Sequence, residues 1–90
     1  MSVLIIVHDL KTPLKDYEPF YKKLKEISNG WAHYFENAWV VNTHLTAQQF
    51  AQALFPYMTK SDHLLVTKIS REYNGWLPKE AWEWLDQREF

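Results

Sequence analysis

Chemistry in this chain concentrates first at His8 and Asp9, where the apolar run Val3-Leu4-Ile5-Ile6-Val7 ends. A carboxylate at the mouth of a buried strand is placed to hold a divalent cation. Two such carboxylates related by a twofold axis, completed by water, suit Mg²⁺ or Mn²⁺, which take hard oxygen ligands and keep several waters. A metal held there would activate water or offset charge on a transferring phosphoryl group. Asp9 is therefore the candidate catalytic and metal-binding residue. From composition alone the commoner role of such an Asp is to cap or turn the chain after the strand. His8 points to the opposite strand face by alternation, as a proton shuttle or a plain hydrogen-bonding group.

The remaining histidines, His33, His44 and His63, show no metal-ligand spacing. Asp62 and His63 are neighbours, and neighbours on a strand point apart. The densest basic cluster is Lys22, Lys23 and Lys25; with Lys11 and Lys15 it puts five lysines in the first 25 residues. Lys11, Lys15, Lys22 and Lys23 are the candidate nucleic-acid contacts, since phosphate neutralisation supplies most backbone affinity. The same lysines also fit an ordinary solvated helix face. Ten Lys and Arg against eleven Asp and Glu leave a net charge of -1. Phosphate binding would therefore need its charge segregated onto one face. Cysteine is absent, which excludes disulfides, thiolate nucleophiles and Cys-based zinc sites. There is no Gly-rich phosphate loop, no recognisable Ser-base pairing and no helix-turn-helix pattern.

The elements that position these groups can be read from periodicity. Ninety residues make one domain, 1–90, and 47% hydrophobic with 17% aromatic residues is enough for a core. Val3 to Val7 reads as a strand buried on both faces. Asp16 fits an N-cap, and Tyr17, Phe20, Tyr21, Leu24 and Ile27 mark the apolar face of a helix over about 17–28. Pro19 falls in its first turn and Asn29-Gly30 stops it. Trp31 to Phe35 and Ala38 to Thr43 read as two short strands around the Glu36-Asn37 turn, or as one strand with a break. Thr46 and Gln49 form a capping box, with Leu45 and Phe50 as a hydrophobic staple, and Pro56 ends that helix. His63 to Ile69 is the last strand. Leu77-Pro78-Lys79-Glu80 opens a terminal helix with Pro at its first position.

The order β-α-β-β-α-β predicts an α+β, ferredoxin-like domain: a four-stranded antiparallel sheet with an extra C-terminal helix. The first and last strands are the most apolar and are expected to be the central pair. The two main helices cover one sheet face. The other face needs the terminal helix or a second copy, because a wet aromatic face is costly, and a homodimer is expected. The first apolar run is too short for a membrane span and lacks a basic leader; a cytoplasmic protein with no membrane partner is expected.

Several stretches carry a family resemblance over nearly the full length. They are Leu4-Ile5-Ile6 to Asp9-Leu10, Asp16-Tyr17, Trp31-Ala32-His33-Tyr34, Ala38-Trp39-Val40-Val41, Asp62-His63-Leu64-Leu65-Val66, and Gly75-Trp76-Leu77-Pro78-Lys79-Glu80-Ala81-Trp82. Together they resemble a group of small bacterial proteins labelled "SinR family", although no DNA-binding helix pair is present to match a regulator. The strand order and Asp9 also resemble the CRISPR adaptation subunit Cas-two. That resemblance implies a symmetric dimer, a metal-dependent nuclease acting on RNA or DNA, and Asp9 as the metal ligand. The chain departs from Cas-two in its middle strands, where Trp31 to Val41 replaces the Arg and Ser-Val-Phe pattern, and in its Trp-rich tail from Tyr73 to Phe90. A non-catalytic dimeric module of the defence or toxin–antitoxin type, binding protein or nucleic acid, is the alternative expectation.

Overall fold

A computed structural model describes residues 1–90. The chain is a small α+β domain with four strands in one antiparallel sheet and three helices. In chain order these are β1 (Ser2–Asp9), α1 (Glu18–Glu26), β2 (Gly30–Phe35), β3 (Ala38–Thr43), α2 (Ala47–Leu54), β4 (His63–Lys68) and α3 (Lys79–Asp86). A 3-10 turn at Phe55–Tyr57 follows α2, because Pro56 has no N–H with which to continue the helical ladder.

The sheet order is β2-β3-β1-β4, with β1 pairing antiparallel to both β3 and β4. The central pair is thus β1 and β3, not β1 and β4. Rank follows pairing rather than apolarity: β3 is paired on both edges, by β1 and β2, whereas β4 is paired by β1 alone. On the helix-covered face Trp39 and Val41 of β3 are buried and Leu64 and Val66 of β4 half-buried; Leu65, on the other face of β4, is 61% exposed.

Cross-strand register assigns the two faces. Leu4, Ile6 and His8 align with Val41 and Trp39 on β3 and with Val66 and Leu64 on β4. This face receives α1 and α2, and its core is Leu4, Ile6, Phe20, Leu24, Trp39, Val41, Phe50 and Leu54. Phe20 and Phe50 are fully buried, each worth roughly 2–3 kcal/mol of transfer free energy.

The opposite face carries Val3, Ile5, Val7 and Asp9, and α3 covers only part of it. Val3 is fully buried and Ile5 half-buried, but Val7 is 39% exposed. The first strand is therefore sealed on one side and open at one end of the other. Ala81 and Leu85 are the α3 residues that bury.

Helix boundaries follow local chemistry. Thr46 Oγ1 accepts from Gln49 N at 3.1 Å, and Gln49 Oε1 accepts from Thr46 N at 3.0 Å, closing the capping box. The N-cap of α1 is Tyr17 rather than Asp16; Asp16 Oδ1 instead accepts from Glu18 N at 2.9 Å across the helix entry. Pro78 is the N-cap of α3, one position before the helix, where its fixed φ and missing N–H are harmless. No helix is long and apolar enough to cross a membrane.

Candidate functional site

Antiparallel register places His63 of β4 directly opposite Asp9 of β1. Residues opposite each other across a ladder share a face, so the carboxylate and the imidazole lie side by side on the open side of the sheet. The pair next along is Val7 and Leu65, and both are exposed. A shallow depression joins these four residues with His8 and Leu64 at its floor and rim. Lys11 closes one side, with its Nζ 3.1 Å from Asp9 Oδ2. Both side chains of that ion pair are about half exposed, so solvent screening limits it to a fraction of a kcal/mol.

No three His, Asp or Glu side chains of one chain converge on a common point. Asp9 and His63 are the two potential ligands that the register sets side by side. A carboxylate is the hard oxygen ligand that Mg²⁺ or Mn²⁺ takes, and one carboxylate with one imidazole is fewer ligands than either ion needs from protein and water together.

The loop from β1 into α1 is held by a residue from the other end of the chain. Asp62 is buried, and its Oδ1 accepts from Lys11 N at 2.8 Å and from Tyr17 Oη at 2.7 Å. Its Oδ2 accepts from Thr59 N at 2.9 Å. Tyr17 Oη in turn accepts from Thr12 N at 3.1 Å, and the hydroxyls of Thr12 and Thr59 are hydrogen-bonded to each other. Burial pushes the Asp62 pKa up, but the bonds from Tyr17, Thr59 and Lys11 more than reverse this and hold it at about 2. The loop these bonds secure is strained. Lys15 N donates to Thr12 O at 3.4 Å, and Leu14 sits in that turn at φ 63°. Glycine or Asn normally occupies such a position, and a Leu there costs on the order of 1–2 kcal/mol.

His8 lies on the helix-covered face and is 3% exposed. Its ring packs edge-on against Phe20 and Tyr21, and its Nε2 has no hydrogen-bond partner. Burial lowers its pKa, the nearby His33 lowers it further, and Asp9 opposes both. A neutral, enclosed imidazole facing away from Asp9 is a packing residue, not a shuttle to that carboxylate. His33 stacks on Trp39 at 3.8 Å between ring centroids, and Trp39 Nε1 is likewise buried without a partner. Tyr21 packs against the same indole, and burial raises its pKa.

The lysines are dispersed. Lys15 Nζ lies 5.5 Å from the Tyr17 ring centroid, in the strained loop. Lys22 and Lys23 line a groove of α1 shared with Asp16, Glu18 and Glu26, and Lys23 Nζ is 3.8 Å from Glu26 Oε1. Lys25 Nζ is 5.7 Å from the rings of both Trp31 and Trp39. Only Lys11 joins Asp9.

Sequence reasoning set aside both His63 and Asp62. The signal for His63 was register: an antiparallel partner strand starting at residue 63 puts it opposite the last residue of the first strand. The signal for Asp62 was weaker, a lone acid closing a polar connection, because its partners are up to 51 residues away. No known family model matches the chain, and it shows no significant similarity to a curated protein or a solved structure. The geometry of the Asp9 end therefore carries the functional argument.

Proposed function

We propose that this chain is a homodimeric, ferredoxin-like protein related to Cas-two that hydrolyses RNA or DNA with a divalent metal at Asp9. The β-α-β-β-α-β order and the β2-β3-β1-β4 sheet support the ferredoxin-like reading. The observation that carries the function is the Asp9–His63 pair beside the exposed Val7 and Leu65. Burying that apolar pair across a twofold axis brings two carboxylates and two imidazoles toward one place. Mg²⁺ or Mn²⁺ held by the two Asp9 carboxylates would supply charge stabilisation at the scissile phosphate. Lys11 would then exchange Asp9 for a backbone phosphate, with Lys15, Lys22 and Lys23 as further contacts.

A second reading has its own observation. Lys11 already neutralises Asp9, which suits a non-catalytic dimeric module that binds protein or nucleic acid in defence or toxin–antitoxin systems. One experiment separates the two. Purified protein is sized by sedimentation and assayed with Mg²⁺ or Mn²⁺ on labelled RNA and DNA, alongside Asp9→Asn and Leu65→Asp. The nuclease reading expects a dimer and metal-dependent cleavage. It expects cleavage to fall at least about 100-fold in Asp9→Asn, as loss of a ligand should cost more than loss of an outer partner. Leu65→Asp should give a monomer that does not cleave. A dimer with no cleavage of either nucleic acid removes the enzyme and leaves the binding module.

A further inference from the structure

At the opposite end of β1, Ile69 N donates to Val3 O at 3.0 Å and turns the chain out of the sheet. The segment after β4 then crosses the partly covered sheet face toward α3. Between them lies an open cavity of about 420 Å³. Ile5 and Val40 form its floor, and Leu77, Trp82 and Leu85 form part of its wall. A second hollow, bounded by Arg71 and Phe90, shares Lys68, Ile69 and Ser70 with it. The first cavity alone falls in the volume range of small-molecule sites.

The wall is built from stacked rings. Tyr73 lies between Trp82 and Phe90, with centroid separations of 6.2 Å and 5.7 Å. The Arg71 guanidinium caps the row, 4.5 Å from the Phe90 ring centroid, and one of its amino groups donates to the Arg88 carbonyl oxygen. A guanidinium has five N–H donors, so most of its capacity remains free. The ion pairs of the chain are Lys11 with Asp9, Lys23 with Glu26, and Lys79 with Glu83. Lys68 and Arg71 thus have no carboxylate partner, whereas the Arg88 guanidinium is turned to the Trp84 ring and carbonyl and to Gln87. In a chain of net charge -1, unpaired cations gathered at the mouth of an apolar, ring-walled slot form an asymmetric site with an apolar body and a basic end. Glu72 stands on the slot wall without pairing to any of them.

We infer that this slot binds a small amphipathic anion: a flat aromatic body seated against the Tyr73 and Trp82 side, and a phosphate headgroup at Arg71, Lys68 and Ser70. Asn74, which also lines the slot, supplies an amide that can pair with the edge of a nucleobase. The body is therefore either a plain aryl group or a base, and the headgroup chemistry is common to both. The site is independent of Asp9.

The test is titration of the intact protein with phenyl phosphate, adenosine 5′-monophosphate and inorganic phosphate. Binding is followed by tryptophan fluorescence and by amide shifts in ¹⁵N spectra. The expected result is saturable, sub-millimolar binding of at least one aryl-bearing phosphate, with shifts centred on residues 68–77, the C-terminal residues, and Ile5 and Val40 of the floor. Inorganic phosphate should bind at least about 10-fold more weakly, because it leaves the slot empty. Preference for the nucleotide assigns the body as a base, and preference for phenyl phosphate assigns it as a plain ring. Arg71→Gln and Lys68→Gln, both at exposed positions, should each weaken binding several-fold or more and leave the ¹⁵N spectrum otherwise folded. No binding of any probe at 10 mM, shifts centred elsewhere, or affinity unchanged in both variants would overturn the inference.

Discussion

Replacing Asp62 gives the sharpest check on the architecture around the candidate site. The carboxylate accepts three hydrogen bonds, two of them from backbone N–H groups of Lys11 and Thr59. Hydrogen bonds to a charged acceptor contribute about 1.5–3 kcal/mol each, and a donor stranded in a buried place costs on the order of 1–3 kcal/mol. The three bonds are not additive, since loosening the loop lets water reach the donors. Asp62→Ala should therefore destabilise by about 3–4 kcal/mol. That is a large share of the roughly 5–15 kcal/mol typical of a domain, and it lowers Tm by about 12–25 °C at this chain length. Asp62→Asn keeps one acceptor oxygen and turns an amide donor toward one of the donors, so about 2 kcal/mol is expected. The pH dependence has a definite sign. The folded pKa of about 2 lies below the ordinary value of 3.8, so the stabilisation is complete above that ordinary value and is lost as pH falls toward 2. Urea unfolding followed by circular dichroism at several pH values between 6 and 2 reads this directly. Wild type should lose stability across the lower half of that range, and Asp62→Asn should show a shallower fall. An Ala variant within 0.5 kcal/mol of wild type, or an Asn variant with an unchanged acid slope, would refute the reasoning.

Two further outcomes test other parts of the fold. His8 has a folded pKa below its ordinary value because it is buried without a partner on Nε2. Its contribution is complete above about pH 6.5 and declines as pH falls below that, so urea midpoints should drop between pH 7.5 and 5, and His8→Phe should flatten that drop. Thr46→Ala removes the side-chain half of the capping box on an eight-residue helix and should cost about 1 kcal/mol in chemical unfolding, whereas Thr46→Ser should cost much less.

What could be read from the sequence was whatever depends on near neighbours. The Thr46–Gln49 box and the Pro56 stop are local chemistry, and both mark α2 where it lies. The α1 stripe is equally local, and Phe20 and Leu24 bury as its spacing requires. Rank within the sheet is a different kind of property. Leu64, Leu65 and Val66 make β4 look like a centre strand, but apolarity records what a strand could bury, not what covers it. The β3 strand gains the centre because β1 and β2 pair its two edges, whereas β4 has β1 alone although α2 packs on it. The candidate site divides the same way. Asp9 stands out as an acid at a strand end. Its partner His63 depends on register, and a slip of one residue would send that imidazole to the opposite face. Asp62 could not be ranked by type at all, because its value lies in donors that arrive from residues 11 and 17.

Lys11 links these two levels and constrains how any activity result is read. Its backbone N–H is bound to Asp62 and its ammonium to Asp9, so one residue sits between the acid that orders the loop and the acid proposed to hold a metal. The Asp62 bond and the strained turn at Leu14 fix where the Lys11 main chain runs, and the flexible side chain decides whether Asp9 is free. A screened, half-exposed pair of that kind breaks readily when a divalent cation or a phosphate competes for either partner. Loss of function on changing Asp62 would therefore report loss of loop order, since Asp62 is buried on the helix side of the loop and bound to main-chain donors. Loss of function on changing Asp9, with the acid slope of unfolding kept, would report chemistry. The two carboxylates are separable by stability, and that separation holds whichever assembly the chain adopts.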